Sequence, residues 1–380
     1  MKITRIKIAC VILLLPLAAA AQEPADYYSA AYGKSGAALK TVLHGKIKGH
    51  TVRTYRELWT DFVRTDSRAD GTVWDMYSNC NFTWGTSGNQ DYGSGGSAEC
   101  QFYNREHSFP KSWFGIKGGD EDDHPMGTDL FHLIPSDKRV NTGRSNMPYG
   151  EVGTTVEKNY LNGSKIGACS FAGCTGKVFE PIDEYKGDFA RTYFYVVTRY
   201  ENEVANWYAT AEAPKVIDGT SYPAFSAWAK EMLLKWHRQD TVSAKEIARN
   251  DSIYKIQKNR NPFIDHPEFA EYIWGDSMSY TWNGGGVYTA APKLAEASFT
   301  LYPNPVTNGE LTCDMRYAKR EKESQVENRR SQIEIYSLSG ALVATYKITG
   351  EEKMRIDVSQ LPNGAYLLKV GKSVVRFVKQ

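Results

Sequence analysis

The sequence predicts an α+β protein, a mainly helical domain carrying a small sheet and followed by a small all-β sandwich. Through residues 182–207 and 222–236, apolar side chains recur at spacings of three and four with polar faces between them, the period of amphipathic helix. Beyond Ser298 that period gives way to short runs rich in β-branched and aromatic residues. Between the two regimes, Asn283-Gly284-Gly285-Gly286 and Ala290-Ala291-Pro292 supply residues that flex or cannot continue a helix. The length of 380 residues exceeds one average domain, and 41% hydrophobic with 24% charged residues is the balance of a soluble globular chain.

Taken in order, residues 1–21 are expected to be a cleaved signal peptide. Lys2, Arg5 and Lys7 precede an apolar run over residues 8–17 that ends in Ala18-Ala19-Ala20-Ala21. Cys10 lies at the start of that run, whereas a lipidated cysteine would follow it. No other segment has the ~18 consecutive apolar residues of a spanning helix, so no transmembrane segment is expected, and the mature protein is expected to be a monomer. The main domain then occupies residues 22–282, a linker 283–297 and the sandwich 298–380. Expected strands at 333–336, 341–348, 354–358 and 365–370 are separated by the turn signals Leu338-Ser339-Gly340 and Leu361-Pro362-Asn363-Gly364. The charged stretch 319–330 reads as a solvated loop.

Five cysteines remain after cleavage. Export places them in an oxidising compartment, so Cys80 with Cys100 and Cys169 with Cys174 are the economical disulfides. Zinc at residues 169–174 would need a nearby second Cys or His pair, which is missing. Cys313 is left over. Residues 22–295 carry 30 basic and 34 acidic side chains, a net −4. A protein that holds nucleic acid by counterion release usually carries excess positive charge, so any such grip must be local.

The chemistry is concentrated in three segments: Arg105-Glu106-His107-Ser108-Phe109-Pro110, Asp129-Leu130-Phe131-His132-Leu133-Ile134-Pro135 and Val140-Asn141-Thr142-Gly143-Arg144-Ser145-Asn146. Within about 40 residues they supply an imidazole base, hard oxygen ligands and cations, the set that metal-assisted phosphodiester hydrolysis needs. A neutral imidazole can take a proton from water at neutral pH, which makes His107 the candidate general base. Adjacent residues of a regular strand point to opposite faces, so Glu106 and His107 share one site only if the backbone bends there. Residues 129–134 are expected to form a second strand. A short helix should follow, with Ser136 as N-cap and Gly143 as its stop, which puts Asn141 late in that helix, as either ligand or cap.

The wording and order of these segments resemble the endonuclease I family of secreted bacterial DNA and RNA nucleases, which have a ββα-metal active site. The resemblance implies an Mg²⁺ ion, with Mn²⁺ or Ca²⁺ as substitutes, held by Glu106 and Asn141, and His107 as the residue that activates water. Arg105 and Arg144 are candidates to hold the scissile phosphate. The family can carry an arginine for that task between its two strands, but this chain has none from residue 106 to 138. Lys111, Lys117, Arg139 or Arg144 must then take the role. Lys111, Lys138 and Arg139 would complete a local basic patch, and His132 is either a substrate contact or a core histidine. Val73-Trp74-Asp75-Met76-Tyr77-Ser78 and residues 259–268 are also family-like, and their aromatics are expected to be scaffold.

Leu301-Tyr302-Pro303-Asn304-Pro305, Ser339-Gly340 and Leu361-Pro362-Asn363-Gly364-Ala365-Tyr366 resemble the C-terminal sorting domain of type IX secretion cargo. That implies the secretion machinery as a partner, beside nucleic acid as substrate: DNA, and RNA as a second possibility. The rival is a surface adhesion or binding protein on a nuclease fold without activity, which would lack a base or a ligand. A polysaccharide hydrolase would need paired carboxylates.

Overall fold

The computed structural model describes residues 23–91, 96–284, 299–314, 332–337, 342–348, 353–370 and 373–380. The expected signal peptide, most of the expected linker and the charged stretch 319–330 lie outside them. The chain divides into two compact units between residues 287 and 288. Among the described residues no helix is long and apolar enough to cross a membrane.

The first unit begins with α1 (Gly36–Ile47) and α2 (Leu58–Thr65), then the strands β1 (Tyr103–His107) and β2 (Leu133–Asp137), and α3 (Lys138–Arg144). A sheet of β3 (Val152–Asn159), β4 (Lys165–Cys169) and β5 (Lys177–Glu180) follows. The remainder is helical: α4 (Lys186–Arg199), α5 (Val204–Trp207), α6 (Ala227–Gln239), α7 (Ala244–Gln257), α8 (Pro262–Asp265) and α9 (Phe269–Ile273). The expected helix over 182–207 is thus α4 and α5. It is less amphipathic than its spacing suggests, since every residue of α4 except Thr192 is buried. Its polar members are tolerated there because they are paired; Arg191, for instance, donates to Glu246 at 2.8 Å and to the Asp240 carbonyl at 2.7 Å.

Three features hold the β1–β2 pair in place. The strands are antiparallel in one unbroken register from Tyr103↔Asp137 to His107↔Leu133. From α7, Arg249 donates to the carbonyls of Leu130 at 2.7 Å and Leu133 at 2.8 Å and pairs with Asp66. The Gln257 amide, at the end of the same helix, accepts from Leu130 N at 2.7 Å and donates to Asp129 at 3.0 Å. Residues 129–132 therefore form a turn organised by Asp129, whose carboxylate also accepts from Phe131 N, and the second strand starts at Leu133 rather than at Asp129.

Helix α3 leaves β2 directly. Its cap is Asp137, not Ser136: the Asp137 carboxylate accepts from Arg139 N at 2.7 Å and Val140 N at 3.1 Å. Nor does Gly143 stop the helix, which runs through it and ends at Ser145, where φ is 52°. Glycine is needed at 143 for space, since a Cβ there would lie 1.9 Å from the Tyr160 hydroxyl.

Both expected disulfides are present, Cys80–Cys100 and Cys169–Cys174. The second unit contains two antiparallel sheets. One is made of β6 (Thr300–Tyr302), β7 (Glu310–Asp314) and β10 (Lys353–Asp357); the other of β8 (Gln332–Ser337), β9 (Leu342–Lys347), β11 (Gly364–Val370) and β12 (Ser373–Lys379). Phe299, Leu311, Ile335, Ile356, Leu368 and Phe377 share its core with Cys313, whose thiol burial pushes up to about 11.

Candidate active site

Strand β1 sorts the candidate residues onto two faces. Tyr103, Arg105 and His107 leave one side, Asn104 and Glu106 the other. The register is unbroken to its last pair, so the bend that would bring Glu106 and His107 to one face is not within the strand. His107 is instead the final strand residue, with the chain turning away from Ser108 onward.

On the first face the His107 ring is buried at 6% exposure, stacked against Tyr55 at 6.0 Å and tilted against His132 at 5.6 Å. Its Nε2 lies 2.9 Å from the Gly127 carbonyl. A carbonyl only accepts, so Nε2 carries the proton and Nδ1 is left with the lone pair. Burial, with His132, Lys111 and Arg105 nearby, pushes the imidazole well below its ordinary range, which keeps it neutral. The Arg105 guanidinium lies 3.4 Å over the Tyr55 ring and 4.4 Å over the Trp59 ring.

On the second face Glu106 is buried between Tyr77, whose hydroxyl donates to Oε1 at 2.8 Å, and Arg144, which donates to the same oxygen at 2.8 Å. The Tyr77 proton is committed to the carboxylate, so the adjacent Tyr149 hydroxyl is the donor between the two tyrosines. Burial pushes the Glu106 carboxyl up, against the lowering effect of Arg144 and Tyr77. A carboxylate in that condition gains from a further cation. One turn before Arg144, the Asn141 side-chain amide donates to Asn104 Oδ1 at 2.8 Å and to the Arg105 carbonyl at 3.5 Å. Those bonds use the amide nitrogen and not the oxygen. Glu106 and Asn141 each carry a hard oxygen, the kind of donor that suits a hard divalent cation.

The cations expected to form one patch are placed differently. Arg144 is fully buried, donating also to the carbonyls of His107 at 3.0 Å and Ser108 at 2.8 Å, so it holds the site from behind rather than facing a substrate phosphate. Lys111 is paired with Glu121, and Lys138 with Asp91 at 3.1 Å. Arg139 is half-buried on α3. His132 is fully buried with Nε2 2.7 Å from the Met126 carbonyl, which makes it support for the His107 ring and not a surface contact. These partners lie on different elements and meet only after folding, which is why their pairing could not be read from spacing.

Sequence reasoning took Tyr77 for scaffold and passed over Tyr55, Asn104 and Gly127. The family-like run around Tyr77 was the available signal for the first. Tyr77→Phe is expected to remove one hydrogen bond to a buried carboxylate, worth about 1.5–3 kcal/mol. A lower melting temperature with retained secondary structure checks it.

The chain belongs to a nuclease family, endonuclease I, which matches residues 35–268. Residues 300–380 match the secretion system C-terminal sorting domain, so the protein is an exported nuclease, secreted or displayed at the cell surface. An extracellular ribonuclease of Bacillus subtilis (strain 168) is 39% identical over 272 residues, 69% of this chain and 83% of that protein. An extracellular ribonuclease of Bacillus amyloliquefaciens is 37% identical over 254 residues, covering 65% of this chain and 78% of its own. An endonuclease-1 of Buchnera aphidicola subsp. Baizongia pistaciae is 30% identical over 172 residues, 42% of this chain and 60% of that protein.

Proposed function

We propose that this protein is a Mg²⁺-dependent, sequence-nonspecific endonuclease that hydrolyses RNA and DNA phosphodiester bonds after export through a type IX route. The observation that carries the reading is the commitment of His107 Nε2 to the Gly127 carbonyl, which leaves Nδ1 with the lone pair at the end of the strand that also carries Glu106. Relatives named as ribonucleases in two Bacillus species favour RNA as a substrate, and the endonuclease-1 of Buchnera favours a broader reach. Nonspecificity follows from a small phosphate-directed site without a base-reading module.

In this reading a phosphodiester lies across the end of β1. His107 Nδ1 takes a proton from the attacking water, while Nε2–H stays on Gly127 and fixes the ring. Glu106 and Asn141 would hold the cation, which supplies stabilisation of the charge that builds on phosphate and leaving-group oxygens. Arg144 and Tyr77 fix the Glu106 carboxylate for that task, and Arg105 and Arg139 would meet the phosphate backbone. Incubating the mature protein with plasmid, RNA and a soluble phosphodiester, with and without chelator, tests the whole. Cleavage that survives chelation removes the metal from the scheme.

Two further expectations follow. Glu106→Ala and Asn141→Ala should each shift the activity titration to higher Mg²⁺, since a site with two protein oxygens cannot spare either; an unchanged titration removes that residue as a ligand. Nucleic-acid affinity should fall with salt on a shallow slope, because few cations are free to neutralise phosphates. Arg139→Glu should reduce that slope by about one. Binding indifferent to salt would argue against a nucleic-acid substrate.

A further inference from the structure

We infer that the groove beside the proposed site is a nucleobase-stacking subsite for single-stranded nucleic acid, an inference that rests on the nuclease reading and extends it to the choice of strand. The groove encloses about 900 Å³ and is lined by Arg56, Glu57, Trp59, Val63, Trp84 and Gln90 among others. Its volume is ample for a nucleotide with its base. Both tryptophans are partly exposed, and each sets an edge against the buried Tyr103, at 5.9 Å for Trp59 and 5.6 Å for Trp84. The Trp84 indole is anchored by its N–H to Ser67 at 3.0 Å, so its position is set before anything binds.

The occupant follows from what the groove adjoins. Trp84, Tyr103, Trp59, Arg105, Tyr55 and His107 form one continuous series of ring and cation contacts, in which Arg105 lies over both Trp59 and Tyr55, and Tyr55 stacks on His107. From Arg105 to His107 is about 7 Å along an extended strand. Steps of 6.0 Å from His107 to Tyr55, 3.4 Å to Arg105 and 4.4 Å to Trp59 lead to the groove wall, so a strand whose phosphate is at His107 can reach the groove within a few nucleotides. The exposed Arg56 gives the wall a cation, and the Glu57 carboxylate is engaged by Thr54 N at 2.8 Å and by Arg53 at 3.3 Å. Aromatic faces beside cations bind unpaired bases whatever their identity. The bases of a duplex have their faces covered by neighbours, so the groove selects single strands.

The test uses the full chain carrying His107→Ala, which is expected to keep the strand intact, and measures equilibrium binding of a single-stranded DNA oligonucleotide and of an abasic strand of equal length. The expected result is a preference for the base-bearing strand on the order of tenfold, which collapses in Trp84→Ala and returns in Trp84→Phe. Trp84 also packs on Tyr103, so Val63→Arg gives a second measurement that spares the core: Val63 is 44% exposed. Arginine there crowds the groove but adds positive charge, so base preference should drop while abasic binding does not weaken. Equal binding of both strands by the parent protein, or a preference that survives in folded Trp84→Ala and in Val63→Arg, overturns the subsite. A Trp84-dependent preference in a protein whose wild type cleaves no strand upholds the subsite and overturns the nuclease reading.

Discussion

His107→Ala is expected to slow phosphodiester cleavage by on the order of 10²-fold or more, with a melting temperature close to wild type and nucleic-acid affinity retained. The ring is buried, yet among the described residues its side-chain hydrogen bond is Nε2 to the Gly127 carbonyl, so deletion removes the proton acceptor while leaving the β1–β2 ladder intact. The alanine leaves space between Tyr55 and His132, which makes a modest drop in stability compatible with the role. Turnover and thermal unfolding should be measured on the same preparations. Near-normal cleavage would show that another group activates the water, and a collapse of the fold would make His107 a structural residue.

Arg144→Met is expected to destabilise the first unit by about 3–5 kcal/mol, because it leaves the Glu106 carboxylate buried without its cation. That corresponds to a melting-temperature drop on the order of 10 °C for a unit of this size. Three backbone and side-chain acceptors besides Glu106 also lose a donor: the carbonyl of His107, the carbonyl of Ser108, which keeps the Tyr193 hydroxyl, and the Tyr193 hydroxyl itself. Pairing the change with Glu106→Gln should restore part of the loss, since the charge that had to be compensated is gone. If Arg144→Met alone costs under about 1 kcal/mol, the pair is not the charged, desolvated bridge that its burial indicates. The two variants test separate roles, His107 on the reaction and Arg144 through Glu106.

Much of this molecule is legible without coordinates. The positions of the sandwich strands β8 to β11 follow from alternation and turn residues, which are local properties, and structure shifts their ends by a residue or so. The two disulfides follow from export and short spacing. Glu106, His107 and Asn141 are proposed for the site from sequence because the chemistry in question is carried by residue type within short segments. Strands β6 and β7 escaped because they are brief and embedded in Pro- and Asn-rich sequence.

What the sequence determined by itself is therefore the inventory: two units, an exported chain, an imidazole beside side chains with hard oxygens, and cations within reach in sequence. The tertiary structure alone decided which of these meet. It put Arg144 behind Glu106 and not in front of a phosphate, paired Lys111 with Glu121 and Lys138 with Asp91, and ran Trp59, Arg105 and Tyr55 up to His107. The physical reason is that residue type and periodicity are local, whereas desolvation and charge pairing depend on what packs alongside. A side chain's partner across 38 residues, as for Arg144 and Glu106, exists only once strand and helix have docked.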